Sequence, residues 1–208
     1  MRLFDRFDKV FCINLDRRPD RMLHFEEQVK KYDLGEFERV SAVDGRELDV
    51  SKLKISPGEL GLILTNSKII EKSISNRYES ILIIEDDCVF SEEIKEIDSY
   101  FSVLPDDWDM LYMGGNHNTH MGILGPYYVN EKVCKLHSTY STHFVAIKKK
   151  MFTRIFNNLR TKTKPLDMMY VDLQKENQVY SFYPALAKQI IDFSDIQNNI
   201  TDYNWLIK

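Results

Sequence analysis

Short apolar runs alternate with amphipathic segments along the chain. Val10–Leu15 and Phe37–Val43 have the length and composition of strands. Between them, apolar residues recur at helical spacing, so we expect a helix that begins near Pro19 and ends near Gly35. The chain therefore opens with a strand, a helix and a second strand.

A stronger helix signal comes next. Ser56 and Glu59 have the spacing of a capping box, with proline at the first helical position between them. The helix that they start leads to Ile81–Ile84, an unbroken apolar run rich in β-branched residues, which predicts a strand buried on both faces. After this strand we expect a helix capped by Ser91 and a strand at Asp109–Met113.

The second half of the chain continues the alternation after a predicted long loop, His117–Asn130. Strands are expected at Lys132–Leu136 and His143–Lys148, and we take them as an antiparallel pair. They are followed by a helix at Lys149–Leu159, a helix start after Pro165 and a strand at Val179–Pro184. Alternating strands and helices predict an α/β fold with a Rossmann-like, mainly parallel sheet and helices on both faces.

Composition narrows the class of protein. The chain has 208 residues, 43% of them hydrophobic, which is enough for one domain with a substantial core. A net charge of −4 does not favour a nucleic-acid partner. No apolar run approaches the roughly 20 residues of an integral membrane segment, and the N-terminus lacks the apolar centre of a signal peptide. The three cysteines are scattered among apolar neighbours, so we expect buried, reduced thiols and a cytoplasmic protein.

Three acids, Glu85, Asp86 and Asp87, follow the strand that is predicted to be buried. Ligand sites of open α/β sheets lie beyond the carboxyl ends of the strands, and adjacent carboxylates favour a hard cation such as manganese or magnesium. An extended chain turns alternate side chains to opposite sides, which makes Glu85 and Asp87 the expected metal ligands and directs Asp86 toward the fold or a nucleoside. The alternative is a solvated acidic turn without a ligand.

A basic turn lies between the first strand and the first helix. Arg17, Arg18 and Arg21 stand beside the free backbone donors of the helix start, an arrangement that can bind a diphosphate. A solvated surface turn is the alternative, because exposed arginine is common. The chain has neither a G-x-G-x-x-G motif nor a P-loop, so no known dinucleotide motif supports the phosphate site.

Other polar residues are weaker candidates. His117 and His120 form an H-x-x-H pair that lacks the helical spacing of a zinc motif. Asp167 and Asp172 follow Pro165 and are either partners of a helix dipole or, when opposed to a bound substrate, a general base. Asp195 is open to the same two interpretations.

Taken in order, these segments resemble glycosyltransferase family 25, which includes lipopolysaccharide and collagen hydroxylysine galactosyltransferases. The resemblance covers nearly the whole chain. Its matching segments are I-N-L-D-R-R-P-D-R at Ile13–Arg21, A-V-D-G at Ala42–Gly45, G-E-L-G at Gly58–Gly61, I-L-I-I-E-D-D at Ile81–Asp87, W-D-M-L-Y-M-G at Trp108–Gly114, P-L-D at Pro165–Asp167 and S-D-I at Ser194–Ile196.

The resemblance implies a GT-A fold, a UDP-sugar donor, usually manganese, and inversion at the anomeric carbon. It assigns the metal to Glu85 and Asp87, and we assign the general base to Asp167. The residues that it places with the donor are Asn14, Leu15, Arg17, Arg18, Arg21, Asp44, Gly45 and Asp86. Residues 1–208 are expected to form one catalytic domain, with a nucleotide-sugar half at 1–116 and an acceptor half at 117–208.

The expected reaction moves galactose or glucose from UDP to a hydroxyl of a glycan or a hydroxylysine-type protein acceptor. One departure from the family motivates an alternative. Thr65-Asn66 stands where the family commonly has Ser-His, so a catalytically degenerate binding protein stays open. A phosphoacceptor receiver domain also places acids after a strand, but there the acids follow the first strand, whereas four elements precede them here.

Overall fold

The computed structural model of the chain describes residues 1–117, 126–190, 192–194 and 199–201. The strands within these ranges are β1 (Lys9–Asn14), β2 (Glu38–Ser41), β3 (Ser80–Glu85), β4 (Cys88–Phe90), β5 (Met110–His117), β6 (Tyr127–Tyr128), β7 (Val133–Lys135), β8 (Thr139–Lys148), β9 (Val179–Phe182), β10 (Ala187–Gln189), β11 (Asp192–Ser194) and β12 (Asn199–Thr201). The α-helices are α1 (Pro19–Lys31), α2 (Pro57–Ser75), α3 (Ile97–Phe101), α4 (Lys149–Thr161) and α5 (Leu166–Glu176).

Eight of these strands form a central sheet in the order β2-β1-β3-β8-β5-β9-β7-β6. β1 is parallel to β2 and β3, and β5 is parallel to β9. β8 runs antiparallel to β3 and β5, and β7 runs antiparallel to β9 and β6. Six strands of the described sheet therefore point one way, which confirms the mainly parallel sheet, and the carboxyl ends of β1, β2 and β3 share one edge.

Two hydrophobic cores cover the two faces of this sheet. Along β3, Leu82 and Ile84 belong to the core that also contains Phe25 of α1, whereas Ile81 and Ile83 belong to the core under α2, α4 and α5. Successive strand residues point to opposite faces, so a strand buried on both faces needs an unbroken apolar run. The predicted burial of β3 and the predicted helices on both faces are confirmed.

The predicted antiparallel pair of Lys132–Leu136 with His143–Lys148 is wrong. β7 pairs with β9 and β6, whereas β8 lies between β3 and β5. The residues of β8 from Thr142 to Ile147 are all buried, so this strand requires neighbours and helices on every side. The sheet thus combines strands from residues 1–116 and 117–208, and the division of the chain into a donor half and an acceptor half stays a prediction.

The helix starts test the predicted caps. Ser56 Oγ accepts from the Glu59 amide at 3.2 Å and Glu59 Oε2 accepts from the Ser56 amide at 2.6 Å, which confirms the capping box of α2. Ser91, in contrast, does not cap a helix, because its hydroxyl donates to the Ala185 carbonyl at 3.4 Å. The chain after it forms a 3₁₀ turn, Glu92–Glu96, before α3 begins.

Several short strands were not predicted, among them β4, β6 and β10. β4 pairs antiparallel with β10, and β6 lies within the segment that was expected to be a loop. Runs of two or three residues carry too little periodicity to be recognised in a sequence. The pairing of β10 with β4 brings Gln189 opposite Cys88, beside the acids at the end of β3.

The three cysteines lie within the described residues, where all are buried and free, as expected. None of the helices in the described ranges combines the length and the apolar character needed to cross a membrane.

The capping box of α2 gives a stability prediction. We expect Ser56→Ala to lower the free energy of unfolding by about 1 kcal/mol, because it leaves a backbone donor at the helix start without its acceptor. Urea denaturation measures this change. The matched control is Ser75→Ala at the other end of α2, where the exposed hydroxyl donates to the Glu71 carbonyl; its effect should stay within about 0.5 kcal/mol. Equal losses in the two variants would contradict the role of the cap.

Candidate active site

A cleft of about 970 Å³ opens beyond the carboxyl ends of β1 and β3. Nine of the eleven predicted site residues line it, namely Leu15, Arg17, Arg21, Asp44, Gly45, Glu85, Asp86, Asp87 and Asp167. Asn14 and Arg18 do not line it. The fold therefore brings acidic and basic residues from four separate segments to one cleft. Their individual roles stay predictions.

Glu85 ends β3 and lines the cleft. Thr142 Oγ1 donates a hydrogen bond to Glu85 Oε1 at 3.1 Å. Burial raises the pKa of Glu85, and the negative charges of Asp87, Asp86 and Asp167 raise it further. This carboxyl group therefore gains stability from a positive charge placed beside it.

Asp86 is buried and held from two sides. Asn14 Nδ2 lies 2.5 Å from Asp86 Oδ2, and Arg21 Nη1 lies 3.6 Å from Oδ1. Asn14 also donates to the Arg18 carbonyl and accepts from Arg39 Nε, so both ends of its amide are bound inside the fold. Asn14 therefore orients Asp86 from outside the cleft lining, and its predicted contact with the donor stays a prediction.

Asp87 shares the guanidinium group of Arg21 with Asp86. Arg21 Nη1 lies 3.7 Å from Asp87 Oδ2, and Gln189 Nε2 donates to the same oxygen at 3.3 Å. The expected alternation, with Asp86 turned away from Glu85 and Asp87, is not observed, because the strand ends at Glu85 and the next two residues form a turn. All three residues therefore line the same cleft, and Arg21 lies beside the carboxyl groups of both Asp86 and Asp87.

Arginines form the opposite charge in the cleft wall. Arg17 Nε and Arg46 Nη2 lie 2.9 and 2.6 Å from Asp44 Oδ2. The hydrogen bond from Arg46 is the main cause that holds the pKa of Asp44 well below its usual range. Arg18 pairs with Asp20 at 2.8 Å outside the cleft lining.

The wall beside Asp44 depends on two glycines. A Cβ atom on Gly45 would lie 2.4 Å from the Pro57 carbonyl oxygen, and one on Gly61 would lie 2.5 Å from the Val43 carbonyl oxygen. Only glycine permits so close an approach of two backbones. The A-V-D-G and G-E-L-G segments thus pack against each other, and together they shape this side of the cleft.

Thr65 and Asn66, the residues that depart from the family pattern, are both buried in α2. Thr65 Oγ1 donates to the Gly61 carbonyl and accepts from the Val43 amide at 2.9 Å. Asn66 Nδ2 donates to the Leu62 carbonyl. Neither side chain lines the cleft, and Thr65 instead fastens the Val43 loop to α2.

Asp167 lies in the first turn of α5 and faces the cleft. Its Oδ1 accepts from the Met168 amide at 2.7 Å, and burial raises its pKa. Asp172, the other candidate on this helix, is bound to Lys164 and Lys175 outside the cleft lining. Asp195 and His120 lie outside the described residues.

Sequence reasoning missed a group of polar residues that line the cleft beside the acids. The residues concerned are Asn116, Tyr140, Ser141, Thr142 and Gln189. The signal in the sequence was the polar run T-Y-S-T-H that precedes the apolar residues of β8. Gln189 gave no signal, because only the pairing of β10 with β4 brings it here.

The carboxyl groups of the cleft suit one kind of metal ion. No group of three or more histidine, cysteine or acidic side chains in the described ranges is arranged to hold a metal by itself. Magnesium-like ions, however, are usually bound by one or two carboxylates together with water and substrate phosphates. Glu85 and Asp87, with arginines nearby for the phosphates, therefore fit a hard divalent cation that arrives with a diphosphate.

Comparison with known proteins gives consistent matches. The model of the family described as Glycosyltransferase family 25 (LPS biosynthesis protein) matches residues 7–163. Procollagen galactosyltransferase 2 of Mus musculus is 29% identical over 132 residues, which are 52% of this chain and 21% of that protein. The inactive glycosyltransferase 25 family member 3 of the same organism is 26% identical over 130 residues, which are 52% and 22%.

These relatives are much longer than the chain, which spans about a fifth of their length. Among solved structures, A197 from STIV superposes with a TM-score of 0.47 at 13% identity, over 92% of this chain and 87% of that one.

The burial of Asp86 predicts a pH dependence. Burial raises its folded-state pKa to about 6, whereas an unfolded aspartate titrates near about 3.9. Between these values the folded state binds the proton more tightly, so the free energy of unfolding falls as the pH rises and stays lower above about 6. We expect Asp86→Asn to remove the decrease in the free energy of unfolding that Asp86 causes between these pH values, about 2–3 kcal/mol.

The measurement compares urea denaturation near pH 4 and pH 7 in a chelator. Asp106→Asn, on an exposed loop, is the control for the loss of one carboxyl group. If Asp86→Asn kept the pH-dependent stability of the wild type, the raised pKa of Asp86 would not be its cause.

Proposed function

The chain belongs to glycosyltransferase family 25, and we propose that it is an inverting, metal-dependent hexosyltransferase. The proposed reaction moves galactose or glucose from a UDP-sugar to a hydroxyl group of a glycan or of a hydroxylysine-type protein acceptor. The observation that carries this proposal is the meeting of Glu85 and Asp87 with Arg17 and Arg21 in one cleft at the ends of parallel strands.

The proposed donor site separates two tasks. Arg17 and Arg21 line the cleft and are proposed to bind diphosphate oxygens with their guanidinium groups, and Asp44 and Gly45 form the wall proposed to face the nucleoside. Glu85 and Asp87 would hold manganese or magnesium, which when bound supplies positive charge to the diphosphate leaving group. Asp86, held by Asn14 and Arg21, keeps the turn between the two metal-binding residues in place.

The acceptor step is assigned to Asp167. This carboxyl group lies in the cleft close enough to Glu85 for its charge to raise the pKa of Glu85. A base with a raised pKa is well matched to accept a proton from a hydroxyl group near neutral pH. We propose that Asp167 takes the proton from the acceptor hydroxyl as that oxygen attacks the anomeric carbon from the face opposite the departing UDP, which inverts the configuration.

A cytoplasmic location is part of the proposal and is supported by the three free, buried thiols. Family membership leaves the receiver-domain alternative without support.

A catalytically degenerate binding protein is the second candidate. A relative named as inactive matches the same share of the chain as a relative named as a galactosyltransferase, and neither Thr65 nor Asn66 reaches the cleft. Such a protein would bind UDP or a glycan without turnover, so binding and turnover must be measured separately.

Binding is tested by calorimetry with UDP. We expect manganese to strengthen UDP binding and Asp87→Ala to weaken it at least about tenfold, or about 1.4 kcal/mol, because the variant removes a metal-binding carboxylate. Asp106→Ala, on an exposed loop, is the matched control. If UDP binds Asp87→Ala as tightly as it binds the wild type, the metal role of Asp87 is wrong.

Turnover is tested by UDP release from a panel of UDP-sugars, which also identifies the sugar. We expect Asp167→Asn to reduce the rate about 10²–10⁴-fold without changing UDP affinity, because a general base acts on the acceptor and not on the nucleotide. Asp172→Asn, on the same helix but outside the cleft lining, should keep the wild-type rate. UDP binding by the wild type without release from any sugar would favour the degenerate protein.

A further inference from the structure

A chain of hydrogen bonds leads from a buried histidine to Asp87. His143 Nδ1 lies 2.6 Å from Ser141 Oγ, and Ser141 Oγ lies 3.0 Å from Gln189 Oε1. Gln189 Nε2 lies 3.3 Å from Asp87 Oδ2. Three side chains from β8 and β10 thus connect the interior of the sheet to a carboxylate proposed to bind a cation.

The local backbone conformation supports this series of hydrogen bonds. Ser141 has a φ of +67°, a left-handed conformation that serine seldom adopts and that costs free energy. The register between β5 and β8 is irregular beside it. Gly114 leaves the space for the histidine, since a Cβ atom there would lie 2.4 Å from His143 Nε2.

The carboxylate fixes the direction of every bond in the chain. An ionised carboxylate only accepts hydrogen bonds, so Gln189 must turn its NH₂ group to Asp87 and its oxygen to Ser141. The Ser141 hydroxyl then donates its single proton to that oxygen. It follows that Ser141 accepts from His143, which must carry its proton on Nδ1.

The other ring nitrogen, His143 Nε2, is buried and makes no hydrogen bond to the described residues. Burial lowers the pKa of His143 to about 4, although the nearby Ala187 carbonyl acts in the opposite sense. The ring is therefore neutral at pH 7, and only one tautomer completes the chain to Asp87.

We propose that Ser141, Gln189 and His143 are positioning residues that orient the Asp87 carboxylate for cation binding through this directed chain. The inference rests on the proposed function for the identity of the cation site. All three groups are neutral, so they orient the carboxylate without adding to the positive charge of Arg21, whose Nη1 already lies 3.7 Å from Asp87 Oδ2. An ammonium group in place of Gln189 would compete with the cation instead.

The first test reads the tautomer of His143 without any ligand. Two-bond ¹⁵N–¹H spectra of the labelled wild type, assigned from the backbone, should show a neutral ring with its proton on Nδ1. Asp87→Asn removes the group that fixes the direction, because an amide both donates and accepts. We expect that variant, and Ser141→Gly, to shift His143 toward the Nε2 tautomer.

The second test separates the hydroxyl from the backbone. Ser141→Gly removes the hydroxyl but suits a positive φ, so the relief of backbone strain offsets part of the loss of two hydrogen bonds, and a melting temperature measured beside the wild type should show a folded protein. Its affinity for manganese in the presence of UDP should fall about 10–100-fold, as for other partners of metal-binding groups. The matched control is Arg77→Gly, a positive-φ residue (+57°) at the opposite edge of the sheet, which should keep the wild-type affinity. Ser141→Ala, which keeps the backbone strain, should bind manganese as weakly as Ser141→Gly.

Two results would overturn the proposal: a wild-type His143 with its proton on Nε2, or a Ser141→Gly protein that binds manganese as the wild type does. A wild type that binds no manganese with UDP would count against the proposed function alone. In that case the His143 tautomer in Asp87→Asn still tests whether the hydrogen bonds connect His143 to Asp87. A His143 spectrum identical to that of the wild type would refute the connection.

Discussion

Mutual repulsion among the carboxyl groups after β3 is the constraint on which this structure depends. Three consecutive acids and Asp167 share one cleft, and burial makes their charges more costly than they would be in water. Neighbouring side chains stabilise these carboxyl groups. Arg21 lies between Asp86 and Asp87, Asn14 binds Asp86, and Thr142 binds Glu85. Among the described residues no full positive charge lies beside Glu85, which is why a cation with a diphosphate suits the site.

The same constraint explains why so many elements end at this place. Parallel β1 and β3 bring the basic turn and the acidic turn to one edge, and α2 packs against the Val43 loop through glycines that no larger residue could replace. β8 contributes from the other direction, because an antiparallel strand begins where its parallel neighbours end. Its polar first residues therefore reach the cleft, while its apolar remainder fills both cores.

The local elements were largely predictable. Capping chemistry located the start of α2, and an unbroken apolar run identified β3, because both signals depend on neighbouring residues alone. Ser91 shows the limit of such reasoning: its sequence suits a helix cap, yet its hydroxyl binds the Ala185 carbonyl, 94 residues away. The position of β8 at the sheet centre was likewise beyond prediction, since pairing partners far apart in sequence leave no periodic signal in either strand.

For the site, the sequence alone determined which residue types lie at the ends of β1 and β3, because the carboxyl ends of parallel strands share an edge whatever the rest of the fold. It thereby identified Glu85, Asp87, Arg17 and Arg21 as residues of one site, the resemblance added Asp44, and Asp167 was our own assignment from its place at a helix start. Only the tertiary structure decided that Asn14 serves Asp86 and that Arg18 pairs with Asp20 outside the cleft lining. It also placed Ser141 and Gln189 behind Asp87. The physical reason is that a hydrogen bond depends on positions in space, and the sheet brings together residues separated by 48 and 102 positions in the chain.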